Sequence, residues 1–123
     1  MTRPTLLVAE DDAGSSQMLG EMLTDDGYDV ELALTAGDVV SALRDRQFSA
    51  VLLDLTLPGM TRTELVEALR GLPPRSPLIM FSARPAPEVR AIAELLGAVA
   101  VLPKPSGMDD LLAAVGRVAR PVG

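Results

Sequence analysis

Short, continuously apolar runs alternate along the chain with longer segments in which apolar residues recur every three or four positions. The apolar runs indicate β-strands, because a strand covered on both faces carries apolar residues at successive positions. The periodic segments indicate amphipathic helices. We predict five strands, at residues 5–9, 28–33, 50–55, 78–82 and 98–102. We predict five helices, at residues 14–24, 36–46, 61–72, 87–96 and 108–118.

The order of these elements predicts the fold class. Strand and helix alternate strictly, which favours a parallel sheet with right-handed crossover connections and helices on both faces. We therefore predict an α/β protein with a doubly wound, five-stranded parallel sheet. The 123 residues contain no linker and no low-complexity tract, so we expect residues 1–123 to form a single domain.

Composition and charge exclude several classes of function. The net charge of −6 argues against direct binding of nucleic acid, which requires a basic surface. The absence of cysteine and histidine excludes disulfides, thiol chemistry and imidazole catalysis. No apolar run approaches the length of a membrane span, and the first residues do not have the pattern of a signal peptide. We expect a cytoplasmic protein that does not insert into a membrane.

Charged or hydroxyl-bearing residues stand at the ends of four of the five predicted strands. In a parallel α/β sheet the carboxyl ends of the strands meet at one edge, and ligands bind beyond that edge. The residues found there are Glu10, Asp11 and Asp12 after the first strand, Asp54 near the end of the third, Ser82 at the end of the fourth and Lys104 after the fifth. Lys104 is the single lysine of the chain and is flanked by Pro103 and Pro105.

This set of residues predicts phosphoryl chemistry. Carboxylates gathered at one edge repel one another, and a hard cation such as Mg²⁺ removes the repulsion. A carboxylate beside Mg²⁺ can act as a nucleophile towards phosphorus. A serine hydroxyl and a lysine ammonium can then bind the phosphoryl oxygens. Each residue alone also has a structural interpretation, since acids favour helix N-termini and serine caps helices. Because the acids, the serine and the lysine all occur at one edge of the predicted sheet, we favour a functional site.

Four segments carry a resemblance to a known family. The segments LLVAEDD, VLLDLTLPGM, FSA and VLPKP resemble the signature segments of response-regulator receiver domains, the phosphoacceptor domains of two-component signalling. The resemblance runs over essentially the whole chain. It implies a flavodoxin-like (βα)5 fold with strand order 2-1-3-4-5. It also implies a domain that is not an enzyme in the ordinary sense, but assists its own phosphorylation and its slow dephosphorylation.

The resemblance assigns a phosphorylation site and a metal site. Asp54 is the implied phosphoacceptor, and Glu10 and Asp11 form the implied acidic pair. Mg²⁺ is then ligated by Asp11, by Asp54 and by the backbone carbonyl of Thr56, with Glu10 acting through water. Asp12 is expected to begin the first helix rather than to bind the metal.

The resemblance also assigns the groups that bind the phosphoryl group. Ser82 is expected to hydrogen-bond it, and Lys104 is expected to pair with its charge. Family members usually carry Tyr or Phe three residues before the lysine, where this chain has Val101. That departure leaves the phosphorylation chemistry unaffected, but it removes the usual aromatic side chain of the switch.

Partners follow from the same resemblance. The phosphoryl donor is expected to be a histidine kinase or a phosphotransfer protein. The phosphorylated domain is expected to bind a downstream protein or effector domain through the face formed by the fourth helix, the fifth strand and the fifth helix. A second copy of the chain, forming a homodimer, is a further partner that we consider. Leu95 and Val66 lie off the apolar stripes of their helices, so we expect both side chains to be exposed.

Two other classes of protein remain open at this stage. One is a pseudo-receiver, an interaction module that is never phosphorylated; the intact set of acids, serine and lysine argues against it. The other is a phosphotransferase of the haloacid dehalogenase type. Such enzymes usually have a second aspartate two residues after the nucleophile, where this chain has Thr56.

Overall fold

Five strands and five helices alternate along the chain in the computed structural model, which describes residues 3–72, 76–82, 86–103 and 108–119. The strands are β1 (Thr5–Ala9), β2 (Asp29–Ala33), β3 (Ala50–Leu53), β4 (Leu78–Ser82) and β5 (Ala100–Pro103). The helices are α1 (Ala13–Asp25), α2 (Ala36–Asp45), α3 (Arg62–Arg70), α4 (Ala86–Leu96) and α5 (Met108–Ala119). Each element predicted from the hydrophobic pattern is present, and no predicted end differs from the observed one by more than two residues.

The five strands form one parallel sheet in the order β2-β1-β3-β4-β5, which confirms the expected topology. The register aligns the carboxyl ends of the central strands. Ala9 of β1 pairs with Leu53 of β3, and Leu53 pairs with Met80 of β4. Residues that follow β1 and β3 therefore emerge side by side at the same edge of the sheet.

A separate core covers each face of the sheet. Successive side chains of a strand point to opposite faces, and β3 shows this directly. Val51 and Leu53 pack into the core shared with α2, α3 and α4, whereas Ala50 and Leu52 pack into the core shared with α1 and α5. Every residue of β3 is buried. Because both faces of the sheet are buried, the strands appear in the sequence as continuous apolar runs without alternation.

The loop that follows β3 is shaped by buried leucines and one glycine. Leu55 and Leu57 are buried although they lie beyond the strand, so the apolar run extends past the end of β3 and made the predicted strand two residues too long. Gly59 has a φ of 99°, a conformation that side-chain-bearing residues rarely adopt. Thr61 then caps α3, so the helix begins at Arg62.

None of the helices in the described ranges has both the length and the apolar character needed to cross a bilayer.

Candidate acidic functional site

Three carboxyl groups meet at the carboxyl edge of the sheet. Glu10 and Asp11 follow β1, and Asp54 follows the neighbouring strand β3. One carboxylate oxygen from each residue lies within 4.8 Å of the other two. Glu10 and Asp54 are each only 2% exposed, whereas Asp11 is exposed to solvent. The structure thus brings together the three acids that the sequence placed at two separate strand ends.

Hydrogen bonds of the main chain fix the two buried acids relative to each other. The Glu10 N–H donates to the carbonyl of Ala33 at 3.1 Å, and the Asp54 N–H donates to the carbonyl of Ala9 at 3.1 Å. Both bonds extend the pairing of the sheet by one residue. The Glu10 side chain also turns back on its own loop, where its Oε1 accepts a bond from the Asp12 N–H at 3.3 Å.

Thr56 holds one oxygen of the Asp54 carboxylate with two donors. Its N–H lies 2.9 Å from Asp54 Oδ1, and its hydroxyl Oγ1 lies 2.7 Å from the same oxygen. Short polar side chains make such local bonds to groups two residues away when the backbone turns. The family resemblance assigned the backbone carbonyl of Thr56 to the metal site, but it did not predict this contact of the hydroxyl with Asp54. The hydroxyl was missed, although the Asp-Leu-Thr spacing is a signal for this contact.

Asp12 has a structural role, as expected. It is the N-cap of α1, and its Oδ2 accepts a bond from the Ser15 N–H at 2.8 Å. This bond satisfies one of the N–H groups that a helix leaves unpaired in its first turn. The acidic cluster of this edge therefore consists of Glu10, Asp11 and Asp54, and Asp12 stands beside it.

The two remaining predicted site residues are Ser82, at the end of β4, and Lys104, which follows β5 in the sequence. Ser82 is the last residue of β4 and pairs with Pro103 of β5. Strand β4 therefore ends at the same carboxyl edge of the sheet as strand β3, whose last residue is Leu53. Lys104 follows β5 in sequence and lies outside the described residues.

The donor set of the acidic cluster fits a hard divalent cation. It consists of carboxylate oxygens, and the sequence has no histidine or cysteine that could add an imidazole or thiolate ligand. Mg²⁺ is bound in proteins by one or two carboxylates and keeps several of its waters. The exposed Asp11 leaves room for such waters, while the buried Glu10 and Asp54 supply negative charge that a cation offsets.

Comparison with known proteins gives the family. Residues 6–116 match the family described as the response regulator receiver domain. The chain belongs to this family: it is a receiver domain of the kind that takes part in two-component signal transduction.

Two curated relatives illustrate the settings in which such a domain occurs. The sensor histidine kinase AruS of Pseudomonas aeruginosa is 36% identical over 121 residues, which cover 95% of this chain and 12% of that protein. The response regulator MprA of Mycobacterium sp. strain KMS is 30% identical over 115 residues, which cover 94% of this chain and 50% of that protein. The chain thus spans half or less of the length of these relatives.

Solved structures share the fold over nearly the whole chain. The non-phosphorylated HemR receiver domain from Leptospira biflexa superposes with a TM-score of 0.85 at 30% identity and covers 98% of both chains. The chemotaxis protein CheY4 of Vibrio cholerae superposes with a TM-score of 0.81 at 27% identity and covers 95% of this chain and 99% of that one.

Proposed function

We propose that this receiver domain accepts a phosphoryl group on the Asp54 carboxylate in a Mg²⁺-dependent reaction, and that phosphorylation shifts a conformational equilibrium that controls a partner. The observation that carries the proposal is the meeting of the Glu10, Asp11 and Asp54 carboxylates within 4.8 Å at the carboxyl edge of the sheet. Two of these acids are buried, and burying like charges together is costly unless they serve a site.

The cation would be held by Asp11 and Asp54 directly, together with the backbone carbonyl of Thr56, and by Glu10 through water. When bound, it would neutralise the negative charge shared by the acids and the incoming phosphoryl oxygens. The protein residues then have two tasks. They hold the Asp54 carboxylate in place, through the Asp54 N–H bond to Ala9 and the two bonds from Thr56, and they bury it, so that Asp54 is only 2% exposed.

The transfer itself is a displacement at phosphorus. An oxygen of the Asp54 carboxylate attacks the phosphoryl group of a phosphohistidine on a kinase or a phosphotransfer protein. The bond between phosphorus and the imidazole nitrogen breaks, and the imidazole leaves with the electron pair. Ser82 is proposed to donate a hydrogen bond to a phosphoryl oxygen, and Lys104 to pair with the charge. Attack by water on the same phosphorus later returns the free carboxylate.

Output is proposed through the face formed by α4, β5 and α5. Leu95 of α4 is 54% exposed and Val101 of β5 is 39% exposed, which supplies apolar surface to that face. A downstream protein, an effector domain or a second copy of the chain is the proposed occupant. Direct contact with nucleic acid is not part of the proposal, because the net charge is −6. We propose a cytoplasmic location, where kinases of this type present their phosphohistidine.

The test is the intact mass of the protein after incubation with a small acyl phosphate, with and without Mg²⁺. We expect the native chain to gain one phosphoryl group only when Mg²⁺ is present, and Asp54→Ala to gain none. If the native chain takes up no phosphoryl group from either the acyl phosphate or a panel of phosphorylated kinases, the domain is a pseudo-receiver and the proposal is wrong. Turnover of small phosphate esters would instead favour a phosphotransferase.

A further inference from the structure

A cavity of about 460 Å³ opens at the amino edge of the sheet, opposite the edge that carries the acids. Its lining comes from the ends of α2, α3 and α4 and from the residues that precede or begin β4 and β5. Strand β4 has five residues and separates the two edges by roughly 17 Å. The cavity is therefore distinct from the proposed phosphorylation site, and its volume is typical of small-molecule sites.

The walls of this cavity are mainly apolar and remain in contact with solvent. Leu72, just after α3, and Leu96, at the end of α4, are half-buried. Leu95 and Val99 also line the cavity, and they are 54% and 58% exposed. Transfer of such apolar surface out of water is favourable. An apolar group of matching size therefore gains binding free energy by filling the cavity.

Two hydrogen-bond donors stand in this apolar lining. Arg70 is the charged residue of the described lining, and its ion pair with Glu67 is long, at 3.7 Å between Nη1 and Oε1. A guanidinium has five N–H donors, so Arg70 can still bind a carboxylate in a bidentate manner. The Ser76 hydroxyl accepts the Phe48 N–H at 2.8 Å, and it keeps its own proton for a further acceptor. Both side chains favour a negatively charged oxygen group in the ligand.

The helix end at this edge does not turn the cavity into a cation site. The Gly97 N–H donates to the Glu94 carbonyl at 3.3 Å, and the Ala98 N–H donates to the Ala93 carbonyl at 2.9 Å. These last carbonyls of α4 are thus bonded within the chain, as is usual where a helix ends at glycine. The described lining also contains no acid that could bind a cation.

We infer that this cavity binds a small organic carboxylate with an apolar tail. The tail packs against the leucines at the ends of α3 and α4, and the carboxylate pairs with Arg70 and accepts a hydrogen bond from Ser76. The inference does not rest on the proposed function, because the cavity lies at the other edge of the sheet. A bound ligand contacts Leu95 and Leu96, and so reaches the helix that belongs to the proposed output face.

The experiment is a titration of the full chain with octanoate, kept below the concentration at which it forms micelles, and with 1-octanol as the uncharged comparison. Binding is followed by NMR of the leucine and valine methyl groups. We expect saturable binding of octanoate with a dissociation constant of about 0.1–5 mM, a range suited to a ligand of this size. The methyl signals of Leu96 and Val99 should shift, whereas that of Leu32, exposed on the distant strand β2, should not.

Arg70→Gln tests the carboxylate contact, and Arg46→Gln is its matched control. Both substitutions remove one positive charge from side chains of equal exposure, 50% and 51%, and Arg46 lies outside the lining of this cavity. We expect Arg70→Gln to weaken octanoate binding by about threefold to tenfold and to leave octanol binding unchanged. Arg46→Gln should alter neither. The thermal midpoint of each variant checks that it is folded.

Absence of saturable octanoate binding to wild type, or methyl shifts confined to residues outside the cavity, would overturn the inference. Equal affinities for octanoate and octanol that Arg70→Gln does not change would also overturn it. They would assign the cavity to an uncharged apolar group, such as a side chain of a partner protein. Methyl signals of the cavity that change with protein concentration alone would assign it to a second copy of the chain.

Discussion

For the single residue Asp54, the sequence predicts the position of the carboxylate but not its contacts. An acid directly after VLL predicts a strand end at a site, because an isolated carboxylate inside a strand would be costly to bury. The structure shows that its oxygen is also held by Thr56, and that contact could not be derived from hydrophobic pattern. It depends on the path of the loop, which Leu55, Leu57 and Gly59 determine together.

Removal of the Asp54 charge is expected to weaken stabilisation by Mg²⁺. A cation that binds only the folded protein raises the free energy of unfolding, by about 1.4 kcal/mol when its concentration is ten times its dissociation constant. We expect this increase for wild type and a clearly smaller one for Asp54→Asn, in thermal unfolding with and without Mg²⁺. Ca²⁺-free and Mg²⁺-free buffer is the reference. Equal increases in the two proteins would mean that the cation binds elsewhere.

Substitution of Gly59 is expected to destabilise the fold through the backbone alone. A Cβ at this position would have its nearest neighbour at 3.9 Å, on Thr35, so there is space for a methyl group. The φ of 99° is nevertheless unfavourable for alanine. We expect Gly59→Ala to lower the free energy of unfolding by about 1–2 kcal/mol.

Gly116→Ala is the matched control for that substitution. Gly116 lies within α5, and a Cβ there would meet nothing within 4 Å. Alanine should therefore stabilise the helix by about 0.5–1 kcal/mol. Denaturant unfolding measures both variants, and a Gly59→Ala protein as stable as wild type would show that the loop does not need its positive φ.

At the level of elements, the hydrophobic pattern predicted every helix and strand, but it missed several of their ends by one or two residues. Helix α3 is an example, predicted at residues 61–72 and observed at Arg62–Arg70. Its start is set by hydrogen bonds rather than by apolar residues. Thr61 and Glu64 form a capping box, in which the Glu64 N–H donates to the Thr61 hydroxyl at 3.1 Å and the Thr61 N–H donates to the Glu64 carboxylate at 2.9 Å.

The capping box of α3 gives a pH-dependent contribution to stability. The hydrogen bond from the Thr61 backbone, followed by that from its side chain, holds the pKa of Glu64 below its ordinary value. The folded pKa is therefore lower than the unfolded one. The contribution is present above the unfolded pKa and is lost as pH falls through the folded pKa. We expect Glu64→Gln to lose less stability in acid than wild type, in unfolding curves measured at several pH values. Parallel curves of the two proteins would contradict the lowered pKa of Glu64.

An ion pair joins the first turns of α3 and α4. Arg62 contacts Glu88, and their side chains are 25% and 43% exposed. Because the pair is partly shielded from solvent, we expect a coupling free energy of about 0.5–1 kcal/mol that decreases at high salt. A double-mutant cycle with Arg62→Gln and Glu88→Gln measures it.

The pair between Arg70 and Glu67 serves as the comparison for that cycle. It is longer, at 3.7 Å, and its side chains are 50% and 69% exposed, so its coupling should be smaller. A coupling between Arg62 and Glu88 that does not exceed this reference pair would show that the contact between α3 and α4 contributes no specific stability.

At the scale of the whole molecule, the alternation of strands and helices sufficed for the α/β class, whereas the strand order came from the family resemblance. Hydrophobic pattern alone does not say which strands are neighbours. It also misjudged one surface position. Val66 was expected to be exposed but is buried, because it lies three residues before the buried Leu69 and so on the same side of α3. Leu95 is exposed as expected.

The strand order β2-β1-β3-β4-β5 brings the three acids of the candidate metal site together. It places β1 next to β3, so the acids that follow these strands meet although they are more than forty residues apart in sequence. The composition fits a metal site at this edge, since a chain without histidine or cysteine must bind a metal through oxygen atoms, carboxylates among them. Fold and site therefore follow from the same feature, the parallel pairing of the two strands.

The most direct test of this account is to locate the phosphoryl group on the chain. The protein is phosphorylated in the presence of Mg²⁺ and then treated with borohydride, which reduces an acyl phosphate of aspartate to homoserine, before digestion and mass mapping of the peptides. We predict homoserine at position 54 only, and none in a sample prepared without Mg²⁺. Modification at Glu10, Asp11 or a hydroxyl side chain, with position 54 unchanged, would contradict it.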